Sequence, residues 1–321
     1  MLPQKYPEKN TGRKGFVLVS VLWILAILTV LSLGFARRAT IERQAAWYTL
    51  DVARAQQMAR GAVERGIAEL ANKAARDAFH QQAGYTGLDQ SWAIPVDVLH
   101  ETDYFAASGD PMLAEERCVY QLTDCESRIN VNNAPEEVLR EIPGLSTGAV
   151  RKIVRRRDPQ DDDFDPMTYF SIEQIWALDE VEDEDWFGKL PGEGLRDILT
   201  TWGYGQININ TASGPVMQAL TEIDAAVIQA ILAYRIGDDG VLGTRDDKAF
   251  KSLDDLQEHV KMSGEKLTEF QRFCTLQSNY FMIHAYATLR GGKIVAHCSA
   301  TVLTDSSSQR AVVQWSENVG A

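Results

Sequence analysis

The sequence predicts an α+β protein: one very long N-terminal helix, a small antiparallel sheet assembled from distant segments, and a large all-α insertion between them. Three observations carry this prediction. Residues 16–36 contain no Asp, Glu, Lys or Arg, and a helical apolar stripe continues beyond them without a proline as far as Asp77. Residues 117–124 and 279–303 alternate in the manner of half-buried strands. Between them Ile129-Asn130-Val131-Asn132-Asn133-Ala134 returns 78 residues later as Ile207-Asn208-Ile209-Asn210-Thr211-Ala212, and each copy runs on into helical sequence.

The N-terminal run is long enough to cross a bilayer core of about 30 Å at about 1.5 Å per residue. A secretory signal peptide is the plain alternative, because Lys5, Lys9, Arg13 and Lys14 precede the run. Signal cores are typically about 7–15 residues, however, and Gly34-Phe35-Ala36 followed by Arg37-Arg38 is a poor cleavage context. A simple anchor explains the length but not the Gly15 placed between the basic leader and Phe16. The stripe then continues through Ile41, Ala45, Tyr48, Val52, Ala55, Ala59, Ala62, Val63, Gly66, Ile67 and Leu70. A helix from about residue 16 to about residue 73 would be about 87 Å long. Its stripe is rich in Ala and Gly, which suits a closely packed second layer better than a coiled coil.

Charge is divided along the chain. Residues 1–80 hold 12 basic and 6 acidic side chains; the remainder holds 20 basic and 39 acidic. A basic start and an acidic body suit a membrane anchor with its N-terminus inside and its body outside. The acidic body repels nucleic acid and favours divalent cations. Cys118, Cys125, Cys274 and Cys298 form no C-x-x-C pair, so no zinc-site spacing is present; disulfides and buried thiols both remain open. On one straight strand, Cys118 and Cys125 would face opposite sides. His80, His100, His259, His284 and His297 are scattered, and no Ser–His–Asp or Cys–His arrangement points to an enzyme.

In chain order, Gly84, Gly87, Pro95, Gly109 and Pro111 break residues 78–128 into short pieces before the strand at 117–124 and a turn at 124–127. The first repeat opens a helix at Ala134-Pro135-Glu136-Glu137, turns at Ile142-Pro143-Gly144-Leu145-Ser146 and resumes a helix over 147–157. The second opens at Ser213-Gly214-Pro215, turns at Thr221-Glu222-Ile223-Asp224 and resumes over 225–236. An acidic loop follows each copy, then a helix start with Ser171 or Ser252 as N-cap. The tail reads as strands at 279–289 and 294–303 around Gly291-Gly292, with a last strand at 311–315.

One acidic loop is a candidate calcium site. Asp238, Asp239, Asp246 and Asp247 surround Gly237, Gly240 and Gly243. Calcium takes six to eight oxygens, and such loops supply carboxylates and carbonyls where Gly permits tight turns. The spacing is not that of an EF-hand, because the twelfth position counted from Asp238 is Ala249. A solvated acidic loop is the alternative. Asp158, Asp161, Asp162, Asp163 and Asp165 form a second candidate that lacks glycines.

The Lys14-Gly15-Phe16 junction resembles the prepilin signal of type IV pilins and type II secretion pseudopilins. The resemblance implies cleavage by prepilin peptidase between Gly15 and Phe16, with Phe16 becoming the N-methylated terminus. Most such proteins carry Glu as the fifth mature residue; this chain has Ser20. A membrane-buried carboxylate costs roughly 2.5–3.5 kcal/mol unless paired, and in the family it pairs with the terminal amine of a neighbour already in the filament. A subunit with nothing above it gains nothing from that Glu, so Ser20 resembles the mark of a tip subunit. The repeats resemble helix-hairpin-helix (SAM-like) modules. DNA-binding versions present turn amides to phosphate, and copy one has Pro143-Gly144 with Arg151, Lys152, Arg155, Arg156 and Arg157. Copy two has Glu222 and Asp224 at its turn, and acids at 158–165 and 180–185 oppose a phosphate backbone. The modules are therefore read as structural, with the basic cluster pairing to the adjacent acids.

In this order the pieces resemble the K-type minor pseudopilin (GspK) family of type II secretion. The resemblance implies a leader at 1–15, a transmembrane and spine helix at 16–77, a pilin-like β domain from 78–128 plus 279–321, and an inserted α-domain at 129–278. It implies a subunit that caps the tip of the pseudopilus in protein export. It also implies I- and J-type minor pseudopilins as partners through the N-terminal helix, specifically its 41–70 face. Prepilin peptidase is a further partner, and the secreted substrate or the outer-membrane channel are others. The location implied is the inner membrane, single-pass, with the body in the periplasm, and the family raises the expectation of calcium. The rival readings are a membrane-tethered, competence-type DNA-binding protein and a minor type IV pilin.

Overall fold

In the computed structural model, residues 13–79, 84–99, 116–159, 165–189, 192–220, 223–238, 240, 246–262, 264–304 and 310–320 are described. The chain begins with helix α1 (Arg13–Phe79), then strands β1 (Val96–Asp97) and β2 (Arg117–Asp124). The first repeat follows as β3 (Ile129–Asn130), α2 (Glu136–Arg140), α3 (Thr147–Arg157), α4 (Glu173–Trp176), α5 (Asp183–Phe187), α6 (Leu195–Ile198) and β4 (Leu199–Thr200). The second follows as β5 (Ile207–Asn208), α7 (Gly214–Gln218), α8 (Ala225–Arg235), α9 (Leu253–His259), α10 (Gly264–Phe273) and β6 (Cys274–Thr275). Strands β7 (Tyr280–Leu289), β8 (Ile294–Thr304) and β9 (Arg310–Gly320) close the chain. Two compact units result, Met1–Arg54 and Ala55–Ala321.

The described residues of the first unit are helix alone. The large apolar side chains of residues 16–36 stand in the open, from Val21 at 47% exposed to Phe16 at 76%. This is a helix long and apolar enough to cross a membrane. The Ser20 hydroxyl donates to the Phe16 carbonyl at 2.8 Å, so the polar atom at this position is satisfied within the helix. The helix already begins at Arg13 rather than at Phe16, because neither Gly15 nor the two basic residues break it.

In the second unit the sheet order is β1-β2-β7-β8-β9, antiparallel throughout. The strand at 117–124 pairs with the tail as expected, from Arg117↔Thr288 to Asp124↔Phe281. Arg290, Gly291 and Gly292 all adopt positive φ in the β7–β8 turn, which glycine tolerates without strain. Strand β9 runs from Arg310 to Gly320, longer than the 311–315 expected. The inward faces of β7 and β8, including Ile283, Ala285, Ala296 and Ala300, are buried.

Against that sheet lies the second half of α1. Ala55, Ala59, Ala62, Val63 and Leu70 are at most 1% exposed. A Cβ on Gly66 would come within 2.8 Å of Ile283 Cγ2, so the missing side chain sets the helix-to-sheet spacing. This corrects one expectation: the Ala-rich part of the 41–70 face is covered by the chain's own sheet and is not free for a partner. The large apolar residues that remain exposed over 41–70 are Ile41, Trp47, Tyr48 and Leu50, of which Ile41 and Tyr48 lie on the stripe. All four cysteines are buried free thiols, and burial pushes Cys118 and Cys298 up to about 11. The Cys118 thiol donates to the Met58 carbonyl of α1 at 3.3 Å.

The two repeats share one hydrophobic core, to which Ile153, Leu195 and Leu199 contribute from the first copy and Val216, Ile231, Phe250 and Phe270 from the second. Helix α3 occupies the expected 147–157, and α8 ends at Arg235, one residue early. Ser252 caps α9 through the Asp255 amide at 3.1 Å. At the start of α4 the Ser171 hydroxyl accepts the Glu173 amide at 3.3 Å, and the Ile172 carbonyl then accepts the Ile175 amide at 2.8 Å.

Candidate functional site: the asparagine repeats and the junction they build

The repeated asparagines are connectors. Asn130 Oδ1 accepts the Asn132 amide at 2.9 Å, and Asn208 Oδ1 accepts the Asn210 amide at 3.0 Å, turning the chain from strand to helix in both copies. The second asparagine of each pair acts like a strand partner. Asn132 accepts the Tyr169 amide at 2.7 Å and donates to its carbonyl at 2.9 Å. Asn210 does the same with Phe250, at 2.8 and 2.9 Å. Each Asn thus ties the loop after the second helix back to the start of the module.

The correspondence goes further than the sequence motif. β3 pairs in parallel with β4 (Ile129↔Leu199), and β5 pairs in parallel with β6 (Ile207↔Cys274). Thr200 and Thr275 accept the amides of Trp202 and Gln277 at 3.2 and 3.1 Å. Arg157 and Arg235, at the ends of α3 and α8, turn inward and donate to the Val131 and Ala212 carbonyls. Burial holds both below the ordinary arginine value, Arg235 at about 10. Arg156 lies over the Tyr169 ring at 4.3 Å, and Tyr234 stacks on Phe250 at 4.3 Å. Within the basic cluster, Lys152 pairs with neighbouring acids in the manner expected, at 2.7 Å from Glu180 and 4.0 Å from Asp179.

The second repeat is sewn to the sheet by two buried carboxylates that sequence reasoning missed. Asp124, at the end of β2, accepts from Asn208 Nδ2 (3.0 Å), Thr211 (2.5 Å) and Ser278 (2.6 Å) on one oxygen, and from the Glu126 amide (2.8 Å) on the other. Glu126 accepts the amides of Asn279 (2.6 Å) and Tyr204 (3.1 Å). Burial raises Asp124, and it raises Glu126 to about 7. Residues 84–99 join here: the Thr86 hydroxyl accepts the Ser278 amide at 3.1 Å, and Trp92 packs edge-on to Phe281 at 5.2 Å.

The other candidate residues are dispersed. Gly15 and Phe16 lie within continuous α1. Asp246 packs its carboxylate against Gly237, and Asp247 is buried with its charge felt by Arg235. Asp238 is described, but Asp239 lies outside the described residues, as do Gly243, Asp161, Asp162, Asp163, Glu222, His80 and His100. Among the described residues, no three His, Cys, Asp or Glu side chains are grouped to hold a metal. At the copy-one turn, Gly144 takes φ +84°, with the Asp185 side chain 3.1 Å from where a Cβ would be. The Ser146 hydroxyl, which caps α3 through the Ala149 amide at 3.2 Å, donates to the Glu180 carbonyl at 3.2 Å.

No protein-family model and no curated protein matches this sequence. Among solved structures, the chain matches GspK of "The Crystal Structure of the GspK-GspI-GspJ complex from enterotoxigenic Escherichia coli Type 2 Secretion System". The match covers 88% of this chain and 99% of that one, at TM-score 0.50 and 12% identity. The fold is that of GspK. At this identity the likeness is one of fold and carries no side-chain correspondence.

Proposed function

We propose that this chain is a minor pseudopilin that caps the tip of a type II secretion pseudopilus and takes part in protein export. The observation that carries the reading is the fold match to GspK over 88% of the chain, spanning both the sheet and the insertion. The Gly15-Phe16 junction, the exposed apolar start of α1 and Ser20 agree with it. In this reading prepilin peptidase removes 1–15, 16–77 is anchor and spine, and 129–278 is an insertion of two helix-hairpin-helix modules in a pilin-like domain. The insertion is too bulky to repeat along a thin filament, so a single copy sits at the end. The chain is not an enzyme; its body lies in the periplasm and its anchor in the inner membrane. I- and J-type minor pseudopilins bind the exposed start of the 41–70 face, which carries Ile41, Ala45 and Tyr48, and the secreted substrate or outer-membrane channel meets the insertion.

The DNA-binding rival is disfavoured by charge. Glu180 and Asp185 occupy the turn and helix start that would face phosphate. Two measurements test the filament reading. Terminal sequencing of the membrane-extracted protein should find methyl-Phe16; an intact Met1 or a start after Ala36 would refute the processing. The full chain should co-purify with the I- and J-type partners, and Tyr48→Glu should abolish this. Calcium belongs to the same proposal, at Asp238, Asp239, Asp246 and Asp247. A hundredfold excess of calcium over Kd should stabilise the protein by about 2.7 kcal/mol. Equal melting in calcium and chelator, unchanged by Asp246→Ala, would remove it.

A further inference from the structure

A groove of about 530 Å³ opens between the outer face of the sheet and the end of the first repeat. Pockets for ligands run from about 300 to 1,000 Å³. Outward side chains of β7, β8 and β9, among them Met282, His284, Thr301 and Gln314, form the floor. One wall is aromatic. Trp176 and Trp186 stack at 5.7 Å and 7°, and Phe187 meets Trp176 edge-on at 5.5 Å. Trp176 is 39% exposed and Phe187 44%. Trp202 closes one end by donating to Gln314 Oε1 at 3.1 Å.

The charges in the groove are unequal in their commitments. Its two carboxylates are engaged: Glu173 accepts the Ser171 hydroxyl, while Asp197 accepts the Gly194 amide at 3.2 Å and lies 3.6 Å from Arg196. Arg196 itself covers the Phe187 ring at 5.1 Å. Among the described residues Arg128 donates to the Arg196 carbonyl alone, at 3.4 Å, and no carboxylate lies within ion-pair distance of it. Desolvation first, and then the Arg128 charge, hold His284 below its ordinary value. Beyond residue 80 the chain has nearly twice as many acids as bases. A guanidinium left without a counter-ion there, beside an aromatic wall, is a ready fork for a carboxylate. Trp and Arg are also the side chains that dominate protein recognition sites.

We propose that this groove binds an extended peptide segment carrying a carboxylate next to an aromatic or apolar side chain. The carboxylate pairs with Arg128, and the side chain lies against Trp176 and Phe187. This goes beyond the filament reading and does not depend on it.

The test uses the detergent-solubilised full chain and two probes, acetyl-Ala-Phe-Phe with a free carboxylate and the same tripeptide as its amide, titrated by tryptophan fluorescence. A hydrogen-bonded ion pair favours the acid by about tenfold or more. Arg128→Gln should reduce the acid to the affinity of the amide without moving the unfolding midpoint. Ser316→Trp, at an exposed position lining the groove, should abolish binding of both. Equal binding of acid and amide to the unaltered chain, no fluorescence response to either, or undiminished acid binding by either variant would overturn the proposal.

Discussion

Asn210→Ala and Asn132→Ala remove the same side chain from equivalent places in the two repeats, yet their costs should differ. Asn210 is 1% exposed and Phe250 is fully buried. Truncating Asn210 strands the Phe250 amide and carbonyl together, with no route for water to replace the two bonds. Each buried polar group left without its partner costs roughly 1–3 kcal/mol, so the pair costs roughly 2–6 kcal/mol. Asn132 is only half-buried, and water can reach the groups it leaves behind; its three bonds should cost about 1–3 kcal/mol. Equilibrium urea unfolding followed by tryptophan fluorescence gives the order, and hydrogen exchange gives the location. In Asn210→Ala the Phe250 amide should lose its protection, while sheet amides such as Ile283 keep theirs. If both variants cost the same, or if Phe250 stays protected, the asparagine side chain does not hold the loop.

Two glycines on α1 should respond in opposite directions to Ala. Gly66→Ala drives a methyl into Ile283 and should cost about 1–3 kcal/mol, whereas Gly61 is exposed with nothing within 4 Å, so Gly61→Ala should stabilise by about 0.5–1 kcal/mol. Thermal unfolding of the two variants decides this. Glu126 is raised from 4.5 to about 7. Its contribution to stability is therefore fully present below about pH 4.5 and is lost as pH rises through about 7. Stability measured from pH 5 to 8 should fall with rising pH through this group, and Glu126→Gln should flatten that slope; an unchanged slope would assign it to other groups.

Much of the architecture was legible because it is written in local periodicity. The apolar run at 16–36, the stripe to Leu70, the alternation of 117–124 with the tail, and the ends of α3 each follow from short-range spacing. The repeat was legible as well, but its purpose was not. Nothing in Asn132 or Asn210 names Tyr169 or Phe250 as the partner, since those loops lie 37 and 40 residues downstream. The closing strands Leu199–Thr200 and Cys274–Thr275 are too short to carry any period, so the parallel ladders that complete each module appear only in three dimensions. The Ala-rich stripe declared that something packs closely on α1 without declaring what. Only the fold assigns it to Ile283 and Tyr120 rather than to another subunit. The same holds for the Asp124–Glu126 junction and the Arg128 groove, whose parts are gathered from residues 86 to 316. Periodicity fixes which face of an element is buried; which face meets which is decided when the whole chain closes, because that choice depends on contacts between residues far apart in sequence.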